Sequence, residues 1–400
     1  MSLVHIGRGR VGLAVAALAG TAVLLAACSG GGGGESTGSG AGGDLIVGTT
    51  DKITFIDPAG SYDNGSFAVM NQVYPFLFNS QYGTADVTPD IAESGEFTSP
   101  TEFTVKLKDG LTFANGHKLT SSDVKFSFDR QLKIADPNGP SSLLGNLASV
   151  EAPDDTTVVF TLKNGNDQTW EQILSSPAGP IVDEEVFSPD ALTSDDDIVA
   201  GNAFGGQYVI DSYNINELIS YKPNPDYKGA LGAAENSSVT VKYYADSSNL
   251  KLDVAGGNID VAFRSLSATD VDDLSKNDAV KVVDGPGGEI RYIVFNFDTM
   301  PFGAATSEAD PAKSLAVRQA MADLVDRQAL SEDVYKGTYT PLYSYVPQGL
   351  TGATEPLKEL YGDGAGAPDL DKAKATLEAA GVSTPVTLNL QYNGDHYGPS

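Results

Sequence analysis

The chain has 400 residues, 53 acidic against 25 basic, a formal charge of −28 and a hydrophobic content of 41%. That is length enough for two or three domains with a real core, and a surface that repels nucleic acid and anionic headgroups. One cysteine excludes an internal disulfide, and three histidines leave little for a histidine-built metal site, so neither metal nor cofactor is expected.

Arg8 and Arg10 precede an unbroken run of apolar and small residues from Val11 to Ala27. The run is long for the core of a secretion signal and short for a span of about 20 residues. Its end, Leu25-Ala26-Ala27-Cys28, resembles the bacterial lipoprotein signal, in which cleavage leaves the cysteine as a lipidated first residue. That resemblance implies a signal peptide over residues 1–27, lipidation at Cys28, and a protein anchored on the extracytoplasmic face of the cell membrane. A transmembrane anchor is the alternative. Residues 28–43 are then the lipidated cysteine and a Gly/Ser tether with nothing to bury. From Ser29 to Gly43 such a coil reaches roughly 20 Å.

Folded sequence is expected from Asp44, with a first strand in Asp44–Gly48. Phe103, Val105 and Leu107 alternate with polar residues and predict a half-buried strand ending at Asp109-Gly110. Thr120 to Asp123 has capping-box spacing, and Val124, Phe128 and Leu132 follow as a helical stripe. Val158, Phe160 and Leu162 predict a strand ending at Asn164-Gly165, and Val239, Val241 and Tyr243 another. The segment 292–297, YIVFNF, is apolar almost throughout, as in a strand buried on both faces. Val317, Ala320, Met321, Leu324 and Val325 trace one helix face, and Val386, Leu388, Leu390 and Tyr392 begin a last strand. No repeat is evident, and the class is mixed α/β.

Enzyme motifs are missing from the part expected to fold: G-x-S-x-G and G-x-G-x-x-G occur only ahead of Asp44, in the basic leader and the Gly/Ser run, and there is no Walker A or H-E-x-x-H pattern. His117 and His396 read as surface residues. Asp195-Asp196-Asp197 and Asp272-Asp273 lack calcium-loop spacing and read as solvated acids. No catalytic residue is expected. A binding cleft is better supported, by aromatics beside small or amide residues in apparent loops: Tyr62 and Asp63; Phe204, Gly205, Gly206 and Gln207; Asn296 and Phe297. In this reading the aromatic rings stack on ligand, Gly205 and Gly206 expose backbone to it, and Asn296 orients it.

Several blocks, in order, resemble the extracytoplasmic solute-binding proteins of ABC importers, in the oligopeptide, dipeptide and nickel class. They are DKITFIDPAGSYD (51–63), VYPFLFN (73–79), FTVKLKDGLTFANGHKLTSSDVKFSFDR (103–130), GNIDVAF (257–263), and RYIVFNFDTMPFG with the VRQA helix of 315–337. The resemblance implies two α/β lobes closing on a ligand between them. Residues 44–284 would form the first lobe with its subdomain. Residues 285–400 would hold the first crossing, at Gly285-Pro286-Gly287-Gly288, and the start of a second lobe. The family's return crossing is not seen in VTLNLQYNGDHYGPS, so the second lobe is expected to be incomplete, without the acid that pairs with a peptide's amino terminus. FGGQY (204–208) departs from the family's G-T-G-P-Y-like turn. The implied function is peptide capture for an ABC permease and its ATPase, by a monomer. Oligosaccharides, metal chelates or haem are alternative solutes. A peptide-signalling receptor on the same fold and a secreted hydrolase with two carboxylates about 5–10 Å apart are the rival readings.

Overall fold

The computed structural model describes residues 2–5, 42–264, 266–285, 287–350 and 352–392. Cys28, His396 and the tether up to residue 41 lie outside them. The folded body begins slightly earlier than expected, because Gly42 donates to Glu235 O at 3.0 Å and accepts from Ser237 N at 3.0 Å.

Strands β1 (Ser2–His5) and β2 (Leu45–Thr49) belong to the large sheet described below. Helix α1 (Asn64–Val73) starts at Asp63, whose carboxylate accepts from Ser66 N at 2.8 Å. A short hairpin, β3 (Phe78–Ser80) and β4 (Val87–Pro89), leads into β5 (Ala92–Ser99) and β6 (Glu102–Leu107). Phe103, Val105 and Leu107 are all buried, as the alternation predicts, and the chain turns at Gly110 with φ +66°.

Helix α2 (Ser121–Ile134) carries the capping box, Thr120 N donating to Asp123 Oδ2 at 2.8 Å. Val124 and Phe128 are buried, but Leu132 is exposed. Eight residues at about 100° each leave Leu132 some 80° off the line of Val124. Gln131 faces inward instead and donates to Ala178 O at 2.9 Å. Helix α2 packs on β7 (Leu147–Asp154) and β8 (Thr157–Leu162). With β5 and β6 they form a four-stranded antiparallel sheet ordered β5-β6-β8-β7, closed over Phe103, Phe128, Phe160 and Trp170. Helix α3 (Trp170–Leu174) supplies the tryptophan.

Helix α4 (Asp195–Gly201), strands β9 (Tyr208–Asn214), β10 (Leu218–Pro223) and β11 (Val239–Tyr243), helix α5 (Ser247–Gly256), β12 (Val261–Phe263), α6 (Ala268–Leu274) and β13 (Lys281–Asp284) follow. The large sheet has the order β13-β1-β12-β2-β11-β10-β9. In it β2 runs parallel to β11 and β12, while β1 is antiparallel to both β12 and β13. Residues expected in a signal peptide therefore occupy a place in the sheet. One core lies under α1 around Met70, Tyr74 and Phe204, and another under α5 around Leu250, Val254 and Ile259.

Beyond residue 290 lie helices α7 (Pro311–Leu324), α8 (Arg327–Ala329), α9 (Pro356–Leu360) and α10 (Leu370–Ala379). Helices α7 and α10 pack together, and a small core forms on Met300, Val317 and Val382. On α7, Val317 and Ala320 are buried while Leu324 is exposed. The two strands expected here are not formed. Tyr292 is 65% and Val294 77% exposed, and Leu388, Leu390 and Tyr392 are exposed too. A strand needs a neighbour for its N–H and C=O groups, and no described residue pairs with either segment. Among the described residues no helix is long and apolar enough to cross a membrane.

Candidate ligand cleft at the carboxyl edge of the large sheet

Sheet topology brings four strand ends to one edge. Strands β2, β11 and β12 are mutually parallel, and β13 points the same way because it and β12 both oppose β1. The chain leaves β13 at that edge and continues into residues 287–392. Ligands of open α/β sheets bind outside the carboxyl ends of the strands.

Charged and aromatic side chains emerge there. Asp51 follows β2 and Arg264 follows β12, with Arg264 Nε 3.2 Å from Asp51 Oδ2. The other arm, Arg264 Nη2, donates to Glu289 Oε2 at 3.0 Å. Glu289 lies five residues past β13, so this ion pair links the sheet edge to the outgoing segment. Tyr243 ends β11; burial and the negative charge of Asp51 push its hydroxyl well above the usual tyrosine range, so it stays protonated. Two shallow depressions of about 300 and 450 Å³ lie elsewhere, one along α2 and one between Phe55 and Tyr213, and neither is lined by Asp51, Arg264 or Glu289.

The loop residues expected to touch ligand are not brought together. Tyr62 is exposed, but Asp63 spends its carboxylate on Ser66 N, the Ser66 hydroxyl at 2.8 Å and the Thr54 hydroxyl at 2.5 Å. These residues sit at the start of α1, whereas Gly205 N and Gly206 N both donate to Val73 O at its end. Ten helical residues separate the two groups by about 15 Å. Phe204 is fully buried against Tyr74, with ring centroids 6.1 Å apart, and has no face for a ligand. Gly205 and Gly206 serve close packing of the chain on itself: a Cβ on Gly206 would lie 2.4 Å from Gln72 O, and one on Gly205 2.9 Å from Pro75 Cγ. Gln207 is buried, accepting from the Tyr82 hydroxyl at 2.7 Å and donating to Gly232 O at 3.1 Å. Asn296 accepts from Asp298 N at 3.0 Å and Thr299 N at 3.1 Å, shaping a turn. Phe297 is exposed, with the Arg318 guanidinium 4.7 Å from its ring centroid.

His117 is not the plain surface residue expected, since its Nδ1 lies 2.8 Å from Oδ2 of the buried Asp183. Asp195 has a structural task, accepting from Ile56 N at 3.0 Å and the Tyr213 hydroxyl at 2.6 Å. Asp272 pairs with Lys276, and Asp273 with Lys251. Asp51, Arg264 and Glu289 were missed by the sequence reading. Their one signal is that Asp51 and Arg264 are the first charges after apolar strands, which gains meaning only once those strands are known to be parallel.

Residues 86–397 match the family described as bacterial extracellular solute-binding proteins, family 5. A protein of Escherichia coli K12 named as probable D,D-dipeptide-binding periplasmic protein DdpA is 27% identical over 355 residues, covering 87% of this chain and 64% of that one. The glutathione-binding protein GsiB of Escherichia coli O157:H7 is 27% identical over 357 residues, covering 88% and 64%. The crystal structure of the ABC transporter substrate-binding protein CtaP of Listeria monocytogenes superposes with a TM-score of 0.66 at 25% identity, covering 86% of this chain and 66% of that one. The chain thus spans just under two thirds of the length of these relatives. Its mixed α/β architecture is that of the two-lobed binding proteins, and the chain belongs to the family-5 extracellular solute-binding proteins.

Proposed function

We propose that this chain captures peptides for an ABC importer, in a cleft on the carboxyl edge of the large sheet. The observation that carries the reading is the Arg264–Glu289 ion pair, which ties that edge to the segment leaving it. Relatives named for binding a D,D-dipeptide and glutathione support a peptide as the solute. In this reading the first lobe ends at residue 284, and closure of the two lobes about the chain that follows would bury the ligand. Tyr62 and Phe297, the exposed aromatics of the original set, remain candidates for stacking on ligand side chains. The protein works as a monomer with a permease and its ATPase, and binds rather than transforms its ligand. Thermal unfolding of the full-length mature protein against di- to nonapeptides and oligosaccharides tests this. A peptide should raise the melting temperature by mass action. A rise with a sugar alone overturns the peptide reading.

Anchoring through Cys28 completes the proposal, and mass spectrometry of the mature protein checks it. Cleavage before Cys28 with an added lipid mass is expected; an intact N-terminus overturns it. Cleavage would also remove β1, the sheet partner of β13. Hydrogen exchange at Lys281–Asp284 reports whether another segment takes that place.

A further inference from the structure

We propose that Arg264 reads a carboxylate of the ligand, receiving it in the position that Glu289 holds in this structure. The inference rests on the peptide reading above and adds a specificity-determining residue to it. Arg264 stands at the carboxyl end of β12 with φ +62°, a left-handed conformation that a long, non-glycine side chain adopts rarely. Such outliers persist where the surroundings hold them and concentrate at ligand sites. Its two arms have unequal partners. Nε faces Asp51, whose side chain is 17% exposed and belongs to the same sheet edge. Nη2 faces Glu289, 49% exposed and carried on the segment beyond β13. Asp51 therefore fixes the guanidinium, while Glu289 is the exchangeable partner. A guanidinium presents its donors in a planar fork matched to a carboxylate. The need for it follows from composition: a chain of formal charge −28 repels an anionic ligand unless a cation is already held where the ligand lands. A free peptide C-terminus is the carboxylate that fits this place.

The test is calorimetric titration of the full-length mature protein with one peptide sequence as free acid and as C-terminal amide. The wild type should prefer the free acid by about tenfold or more, the scale of a hydrogen bond to a charged group. Arg264→Gln should bind both forms with the affinity of the amide. Glu289→Gln removes the competing carboxylate and should tighten the free acid several-fold (roughly the lower part of that scale) while leaving the amide unchanged. This second variant keeps the test decisive if Arg264→Gln folds poorly. Free-acid preference kept in full by Arg264→Gln, or a free-acid affinity unmoved by Glu289→Gln, overturns the assignment while the peptide reading stands. A wild type that binds neither form overturns both.

Discussion

Arg130 and Asp57, 73 residues apart in sequence, form a bidentate buried ion pair, with Nη1 2.8 Å from Oδ1 and Nη2 2.5 Å from Oδ2. It joins the IDP segment to the C-terminal half of α2. The remaining capacity of each group is used as well. Asp57 accepts from Ala59 N at 2.9 Å and Thr193 N at 2.7 Å, and Arg130 donates to Ser188 O at 2.6 Å and Ala191 O at 2.8 Å. The guanidinium also lies 5.3 Å from the Phe187 ring centroid. One pair thus fastens α2, the IDP segment and residues 188–193 to one another.

Removing one partner leaves the other charge buried and unpaired. Asp57→Asn or Arg130→Met should each cost about 3–5 kcal/mol in urea unfolding. The double variant should cost less than the sum of the two, because neither charge is then stranded. Single variants that cost under about 1 kcal/mol would show the pair to be energetically idle.

Stability should fall as pH rises, in two windows. Burial, aided by the nearby charges of Glu184 and Asp183, pushes Asp123 up to about 6, against hydrogen bonds from Thr120 N and Glu184 N. Between the ordinary carboxylate value near 4 and that native value, the folded chain holds a proton the unfolded chain has lost. The Asp123 contribution therefore drops with rising pH there, by at most about 1.4 kcal/mol per unit, and is constant above. His117 is raised by its hydrogen bond to Asp183, so its contribution is complete below its unfolded value near 6.5 and is lost as pH rises through the higher native value. Melting temperatures from pH 4 to 9 check both. Asp123→Asn should lessen the fall in the lower window, to which Asp90, also raised by burial, adds, and His117→Gln should flatten the upper one; an unchanged slope in either variant refutes its assignment.

Gly206→Ala separates packing from ligand contact. The added methyl would meet Gln72 O, a backbone atom that cannot turn away, so a loss of about 1–3 kcal/mol is expected with ligand affinity intact below the melting transition. Gly205→Ala meets the ring of Pro75 and should cost less. A ligand-facing glycine would give the reverse, with affinity lost and stability kept.

Local patterns were legible in the sequence. The strands around Val105 and Val158, the capping box at Thr120 and the helix through Val317 depend on a few adjacent residues, which composition and period encode directly. The same holds for the family blocks, two of which, 51–63 and 103–130, proved to be joined through Asp57 and Arg130. What the sequence could not rank was the loops. Phe204 and Gln207 looked like cleft residues because aromatics and amides beside glycines serve a turn packed inward as well as one facing ligand. The difference lies in Val73 and Tyr82, neighbours brought up from far along the chain. Apolar character at 292–297 and 386–392 declared strands, but pairing is made between segments, and there no described partner stands beside them. Which strands run parallel, and therefore which edge gathers Asp51, Tyr243, Arg264 and Glu289, was decided only in three dimensions, because register and direction are properties of strand pairs and no single stretch of sequence contains them.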